Sequence, residues 1–339
     1  MNNFSYTKAT DVEDAVSFIN GHDGNKIIAG GTNIVDLMKY FVIQADTLVD
    51  INQISGLSDI KEIPDGGIRI GALLTNAETA YHPIIERQYP LLSKGILAGA
   101  SAQIRNMATN GGNLLQRTRC YYFYDVNTPC NKREPGSGCS AITGYNRIHA
   151  ILGHSENCIA VFPSDMCVAL AALDAVIHIS GPDGERTVEF ADFHRLPGDT
   201  PEFDNNLKNG ELITGIELPE KGFAKNYSYL KLRDRASYSF ALVSVATGLT
   251  LENGKIKEAR IALGGVAHKP WRVKEAEDFL VDREATRENF SAAADMILNG
   301  AVGFEHNSFK IDLAKKAIVR NCMMALDPKS QRPGAKPSL

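Results

Sequence analysis

The sequence predicts an α+β fold in two parts: a two-lobed N-terminal domain, then a C-terminal domain of a three-stranded antiparallel sheet with helices. Three observations carry that expectation. Lys26-Ile27-Ile28-Ala29 is a short apolar strand that runs into Gly30-Gly31. A second glycine pair, Gly111-Gly112, lies inside the polar stretch Gln103 to Leu115. Late in the chain, β-patterned segments at 227–233, 240–251 and 256–264 precede helical patterns at 272–282, 286–299 and 309–326.

With 339 residues, 44% of them hydrophobic and 22% charged, the chain has ample material for two or three lobes. A net charge of −4 argues against nucleic acid as the main partner. No apolar run approaches the roughly 20 residues of a membrane span. The opening Met1-Asn2-Asn3-Phe4-Ser5-Tyr6 has neither a basic nor an apolar region, so no export signal is expected on this chain.

In order, Val12, Ala15, Val16 and Ile19 mark one face of a helix over 10–20, with Thr10 or Asp11 as its cap. The strand at Lys26 follows, then Gly30-Gly31, then Thr32 as the expected N-cap of a helix carrying Ile34, Val35, Leu37 and Met38. Thr47-Leu48-Val49-Asp50 is a further strand, closing a small α/β lobe over 1–55. A strand, a glycine turn and a helix start together make an anion cradle, because N–H groups and the positive helix end face the same point. The pattern is neither G-x-G-x-x-G nor G-x-x-x-x-G-K-[ST], so it is neither a Rossmann fingerprint nor a P-loop. Gly111-Gly112 offers the same freedom of backbone approach.

The larger lobe, 56–220, opens with a hairpin from Ile60 to Ile70 around Pro64-Asp65-Gly66-Gly67. Ile70-Gly71-Ala72 leads to Thr75-Asn76-Ala77-Glu78, a capping box that starts a helix. From Arg117 to Asn157 periodicity vanishes. An irregular run of about forty residues is too long for a compact domain unless something holds it. Cys158 to Phe162 reads as a strand, and Pro163-Ser164-Asp165 opens a helix through Ala172 in which Cys167 is a core residue. Segments 175–179 and 187–190 pair around Pro182-Asp183-Gly184, and 211–218 is another strand. Pro219 to Lys225 links to the C-terminal domain, 226–326, where Cys322 faces the core, and the Pro-punctuated tail 327–339 is expected to be mobile. No nucleophile–base pair stands out, and His149 and His154 flank Ile151-Leu152 without recognisable partners. Such a chain fits chemistry that belongs to a bound cofactor.

Two stretches, Ala29 to Ile34 and Gln103 to Asn113, resemble the A-G-G-T-(D/N)-(I/L) and Q-x-R-N-x-A-T-x-G-G-N segments of the FAD-binding subunits of the xanthine dehydrogenase/molybdenum hydroxylase family. The resemblance spans about residues 4–325. It implies an FAD-binding domain of the p-cresol methylhydroxylase/vanillyl-alcohol oxidase type over 1–220. It also implies FAD contacts at Lys26, Ile27, Ile28, Ala29, Gly30, Gly31, Thr32, Asn33 and Ile34, and at Thr109, Gly112, Asn113 and Leu114. Asp165, Ile213 and Lys231 are implied as further contacts, with Gly71 and Ala72 as candidates beside them. The family role implied is electron transfer. A large subunit holds the molybdenum cofactor, a small subunit carries two 2Fe–2S clusters, and FAD delivers electrons to an external acceptor. The alternatives are a stand-alone flavin oxidoreductase of the vanillyl-alcohol-oxidase-like superfamily and a non-catalytic zinc-stabilised module.

Cys120, Cys130, Cys139 and Cys158 follow the spacing C-x9-C-x8-C-x18-C within the insert 117–158. Spacing alone leaves an iron–sulfur centre and two disulfides open, while the lack of the C-x2-4-C pairs usual for zinc argues against a zinc site. The long loop's need for an anchor favours iron, as does the company of Arg117, Arg119, Lys132, Arg133 and Arg147. Arg119-Cys120, Pro129-Cys130-Asn131-Lys132 and Gly138-Cys139 are similar to an insert in the aldehyde oxidoreductase branch of the family, which implies a 4Fe–4S cluster on these four cysteines. That branch also implies a periplasmic location by co-export with a signal-bearing partner, and otherwise a cytoplasmic one.

Overall fold

Three sheets follow one another along the chain. The computed structural model describes residues 1–328 and 331. Strands β1 (Ser5–Lys8), β2 (Asn25–Ile28) and β3 (Thr47–Asp50) make a parallel sheet of order β1-β3-β2. The helix Val12–Gly21 crosses between β1 and β2, burying Ala15, Val16 and Ile19. Of its two candidate caps it uses Asp11, whose side chain accepts from the Asp14 N–H. After β2 comes the helix Ile34–Lys39, whose N-cap is Asn33 and not the expected Thr32. The turn takes one more residue to bring the backbone into helical register.

The second sheet is antiparallel: β4 (Ile60–Glu62), β5 (Ile68–Gly71), β6 (Val176–Gly181), β7 (Gly184–Glu189) and β8 (Leu212–Leu218), in the order β4-β5-β8-β6-β7. Between β5 and β6 the chain lays down helices, starting with Asn76–Tyr81 under the complete Thr75/Glu78 capping box. The helix Asp165–Ala172 is buried on every side, so its sequence shows no amphipathic stripe. It packs with Pro90–Ala98 and the sheet into one core around Ile70, Ile85, Leu92, Leu114 and Ile177.

The third sheet comprises β9 (Asn226–Leu232), β10 (Val243–Glu252), β11 (Lys255–Gly264) and β12 (Trp271–Arg272). It therefore has four strands, in the order β12-β11-β10-β9, and not the three expected. The extra strand is two residues long behind Pro270, too short to show a period, and its Trp271 pairs with Leu263. Asn253 and Gly254, with φ of 51° and 79°, form the tight turn between β10 and β11. The helices Lys274–Leu280, Arg287–Ile297 and Phe309–Leu326 complete the domain. Fully buried Asn321 ties the last of them to the sheet by donating to the carbonyls of Ser228 and Val245 and to Thr247 Oγ1.

One further expectation differs. Cys158 to Phe162 is extended but joins no sheet. Its backbone bonds go to loops, from Ala150 N–H to the Ile159 carbonyl and from Phe162 N–H to the Ala267 carbonyl. The expected mobile tail lies mostly outside the described residues; Gln331 accepts from Lys94 Nζ at 2.6 Å. Among the described residues no helix is long and apolar enough to cross a membrane.

Candidate functional site

The two glycine pairs meet. A Cβ built on Gly30 would sit 1.8 Å from the Met107 carbonyl oxygen, so only glycine lets the first turn lie against the segment leading to the second. Gly31 has φ of 70°, the left-handed conformation expected of a glycine turn. Gly111 and Gly112 do not share it. They sit in a short helix, Asn110–Leu114, with Thr109 Oγ1 accepting from Gly112 N–H as its cap. Here glycine serves close packing, since a Cβ on Gly111 would lie 3.2 Å from the Ala72 methyl group.

Around this contact runs a cleft with two compartments. The larger, about 590 Å³, is lined by Asn76, Gly99, Asn113, Asp165, Arg235 and Phe240 among others. The smaller, about 220 Å³, is more apolar and is lined by Ile27, Ala29, Ile34, Ala72, Leu212 and Ile213. Thr32, Asn33 and Gly112 belong to both walls, so the junction of the compartments falls where the two turns meet. Asn33 Oδ1 accepts from the Arg117 N–H at 2.9 Å, while its buried Nδ2 has no protein partner. An unpartnered buried amide at such a point is a donor awaiting an acceptor.

Buried amides brace the second turn from behind. Asn76 Nδ2 donates to Asn110 Oδ1, Asn113 Nδ2 to Asn76 Oδ1, and Asn110 Nδ2 to Thr79 Oγ1. Ser164 Oγ donates to Asn113 Oδ1 at 2.6 Å and accepts from Cys167 N–H, which caps the buried helix. Thus the side chain of Asn113, an expected contact, also braces the turn. Asp165 likewise is already engaged. Tyr229 and Lys231 lie two apart on β9 and so share a face; Tyr229 Oη donates to Asp165 Oδ1 and Lys231 Nζ to Asp165 Oδ2, each at 2.7 Å. The pair Asp165–Lys231 is buried, with Asp165 in the wall of the larger compartment and Lys231 behind it.

The expected contacts therefore divide. Ile27, Ala29, Gly30, Gly31, Thr32, Asn33, Ile34, Thr109, Gly112, Asn113, Asp165 and Ile213 line the cleft, as does Ala72. Lys26, Ile28, Leu114 and Lys231 do not. Lys26 Nζ reaches back to the Asp23 carbonyl, and Ile28 packs with Met38 and Leu48. Leu114 is a core residue whose carbonyl accepts from His194 Nε2 at 2.9 Å. Gly71 lies against the Leu57 backbone.

Cys120, Cys130, Cys139 and Cys158 line one small pocket. As it stands the pocket is narrow, about 10 Å³. None of the four is in a disulfide. Among the described residues no group of three or more His, Cys, Asp or Glu side chains is drawn together to hold a single metal ion. A tetrahedral zinc needs that convergence, whereas the corner irons of a cubane take sulfurs spread around it. Burial pushes the Cys120 thiol up to about 12 and the Cys158 thiol up to about 11, with Lys132 pulling the latter back.

The loop also carries bracing of its own. Asn131 Oδ1 accepts from the N–H groups of Gly136 and Gly138, whose φ of 87° and 103° demand glycine. Arg133 donates to the carbonyls of Tyr122, Phe123 and Thr128. Most of the nearby cations do not face the cysteines: Arg119 pairs with Asp36 and Arg147 with Asp234. Lys132 does line the pocket, and so does Cys120, on which a residue with no expected partner converges: His149 Nε2 lies 3.1 Å from Cys120 Sγ. His154 instead stacks edge-on against Phe304. No sequence signal near His149 marks its contact, which joins residues 29 positions apart.

Asp204, which sequence patterns do not single out, joins the two sites. It is ion-paired with Arg117 of the cleft wall and Lys132 of the cysteine pocket, and His268 Nε2 of the C-terminal domain lies 3.1 Å from its Oδ1. Burial alone would raise its carboxyl, but the His268 hydrogen bond and then Arg117 and Lys132 hold it well below the usual carboxylate range.

Comparison with known proteins gives the following. The model of the FAD binding domain in molybdopterin dehydrogenase matches residues 2–221. That of the CO dehydrogenase flavoprotein C-terminal domain matches residues 227–321. The aldehyde oxidoreductase FAD-binding subunit of Escherichia coli is 47% identical over 319 residues, covering 94% of this chain and 96% of its own. The glyceraldehyde dehydrogenase medium chain of Sulfolobus acidocaldarius is 28% identical, covering 83% of this chain and 82% of its own. In fold, the chain is similar to the carbon monoxide dehydrogenase structure from Hydrogenophaga pseudoflava, with a TM-score of 0.75 at 24% identity, over 96% of this chain and 97% of that one.

Proposed function

The chain belongs to the family of FAD-binding subunits of the molybdopterin dehydrogenases, which are oxidoreductases, and from that premise we propose that it is the electron-transfer flavoprotein subunit of an aldehyde oxidoreductase. Its partners in this reading are a large subunit with the molybdenum cofactor and a small subunit with two 2Fe–2S clusters. Bound FAD supplies the redox centre between those clusters and an external acceptor. This chain's own residues bind and orient it. The two lobes around the cleft are read as the p-cresol methylhydroxylase/vanillyl-alcohol oxidase arrangement, and periplasmic location by co-export belongs to the same proposal.

One observation carries the placement. The cleft's two compartments join at Thr32, Asn33 and Gly112, where an unpartnered buried amide faces the junction of two glycine turns. An elongated dinucleotide needs its charged middle at such a neck, on N–H donors, with its two ring systems to either side. Gly31→Val forces a branched side chain into a positive-φ position, and Asn33→Leu removes the donor. Both variants should purify with flavin reduced at least tenfold at unchanged expression. A full complement of flavin in a folded Asn33→Leu protein would refute the placement. Aldehyde turnover by the pure chain, freed of molybdenum, would favour the stand-alone flavin oxidoreductase.

A 4Fe–4S cluster on Cys120, Cys130, Cys139 and Cys158 is the finer part of the reading. Its support is the donor set: four unpaired cysteines around one pocket, with Lys132 in its wall. Anaerobic protein should contain about four irons and four sulfides per chain. Cys130→Ser should lose them and keep FAD. Iron-free protein whose thiols pair on oxidation would sink it.

A further inference from the structure

His149 is 1% exposed and sits deep between the insert and the C-terminal domain. Its Nε2 is 3.1 Å from Cys120 Sγ, while Nδ1 is buried without a partner. A neutral imidazole carries one N–H. On Nδ1 that proton would be buried and unbonded; on Nε2 it points at sulfur. The tautomer that donates to Cys120 is thus the one the surroundings favour.

The backbone at His149 is held from the other domain. Lys310 Nζ donates to the His149 carbonyl at 2.7 Å and to the Gly265 carbonyl at 2.5 Å. Asn307 Nδ2 donates to the carbonyls of His149 and Ala150. Both side chains are fully buried. Among the described residues no carboxylate pairs with Lys310, and burial lowers its ammonium to about 7. Burying a lysine this way is costly. A packing role alone would be met by an apolar residue, whereas the bonds from Lys310 Nζ to two carbonyls fix the backbone from which the His149 ring projects.

We propose that His149 donates a hydrogen bond to the Cys120 sulfur and thereby raises the reduction potential of the cysteine-bound centre, with Lys310 and Asn307 as its positioning residues. The inference rests on the 4Fe–4S reading above. One-electron reduction adds negative charge that spreads onto the ligand sulfurs. An N–H···S bond therefore strengthens in the reduced state and favours it.

The test uses the full chain, purified anaerobically and labelled with 15N-histidine, with iron, sulfide and FAD assayed throughout. Pulsed EPR of the dithionite-reduced wild-type protein should show coupling to one histidine nitrogen and an exchangeable proton. His149→Leu should retain iron and FAD, lose that coupling and shift the midpoint to lower potential. His149→Gln, which keeps an N–H donor, should recover part of the shift. Lys310→Met should weaken the coupling and move the midpoint the same way by less. A reduced wild-type centre without histidine coupling overturns the proposal, and that measurement does not depend on any variant folding. A wild-type midpoint in iron-replete His149→Leu overturns it too. Wild-type protein free of iron and sulfide would instead defeat the cluster reading itself, a distinct result.

Discussion

The cleft and the cysteine pocket are built in opposite ways. The cleft is a backbone site: Gly30 lies against the Met107 carbonyl, Gly31 takes a positive φ, and side chains behind the turn, such as Asn76 and Asn110, serve as bracing. The pocket is a side-chain site. Its four sulfurs, Lys132 and the His149 ring come from a loop whose backbone is occupied with holding itself together. The difference teaches where substitution should be felt. A backbone site is damaged by adding atoms, a side-chain site by removing them.

The largest expected effect tests what the two sites share. Asp204→Leu leaves Lys132 and Arg117 with buried uncompensated charge, and removing one partner of such a network costs about 3–5 kcal/mol. Urea unfolding should show that loss, with flavin content and thiol reactivity changing together. If only one of them changes, the sites are independent. The same residue predicts a pH dependence. Its folded carboxyl lies below its unfolded value of about 3.9, so its contribution is complete above that pH and is lost as pH falls below it. Asp204→Asn should flatten the acid limb of the stability profile.

Adding one methyl to the cleft comes next. Gly30→Ala drives a Cβ against the Met107 carbonyl, and such overpacking costs roughly 1–3 kcal/mol. Flavin content should fall several-fold, and an unchanged content would deny that the turn is a backbone site. Asn113→Ala strips a brace from Ser164 and Asn76, with an expected loss of about 1–3 kcal/mol in thermal or urea unfolding. The smallest effect sharpens the contrast. Lys26→Ala should shift stability by less than about 0.5 kcal/mol and leave flavin content unaltered, since its ammonium points back to the Asp23 carbonyl.

What was legible in the sequence follows the same division. The glycine turns, the capping box at Thr75 and the hairpins at Pro64, Gly184 and Asn253 announce themselves because local backbone geometry demands particular residues. Two-residue β12 has no period to read, and the extended run from Cys158 bonds to loops that no local pattern reveals. Ile27 and Ala29 to Ile34 line the cleft, yet Ile28 turns inward because alternate strand residues face opposite sides. Asp204 and His149 were invisible for another reason. The partners of their side chains lie 29 to 87 positions away in sequence, and a buried Asp or His looks like any other until the chain folds.

The grip of residues 265–310 on the insert sets an order of events during synthesis. Ile151 and Leu152 donate N–H bonds to the Val266 carbonyl, Val302 N–H reaches the Ile151 carbonyl, and Lys310 holds His149. The ribosome releases the first two sheets well before that clamp exists. The N-terminal turns can meet early, but the hydrogen bonds that hold His149, Ile151 and Leu152 form only when the chain has emerged past Lys310. A chain stopped at residue 221 should therefore leave the insert more open to protease than it is in the full chain.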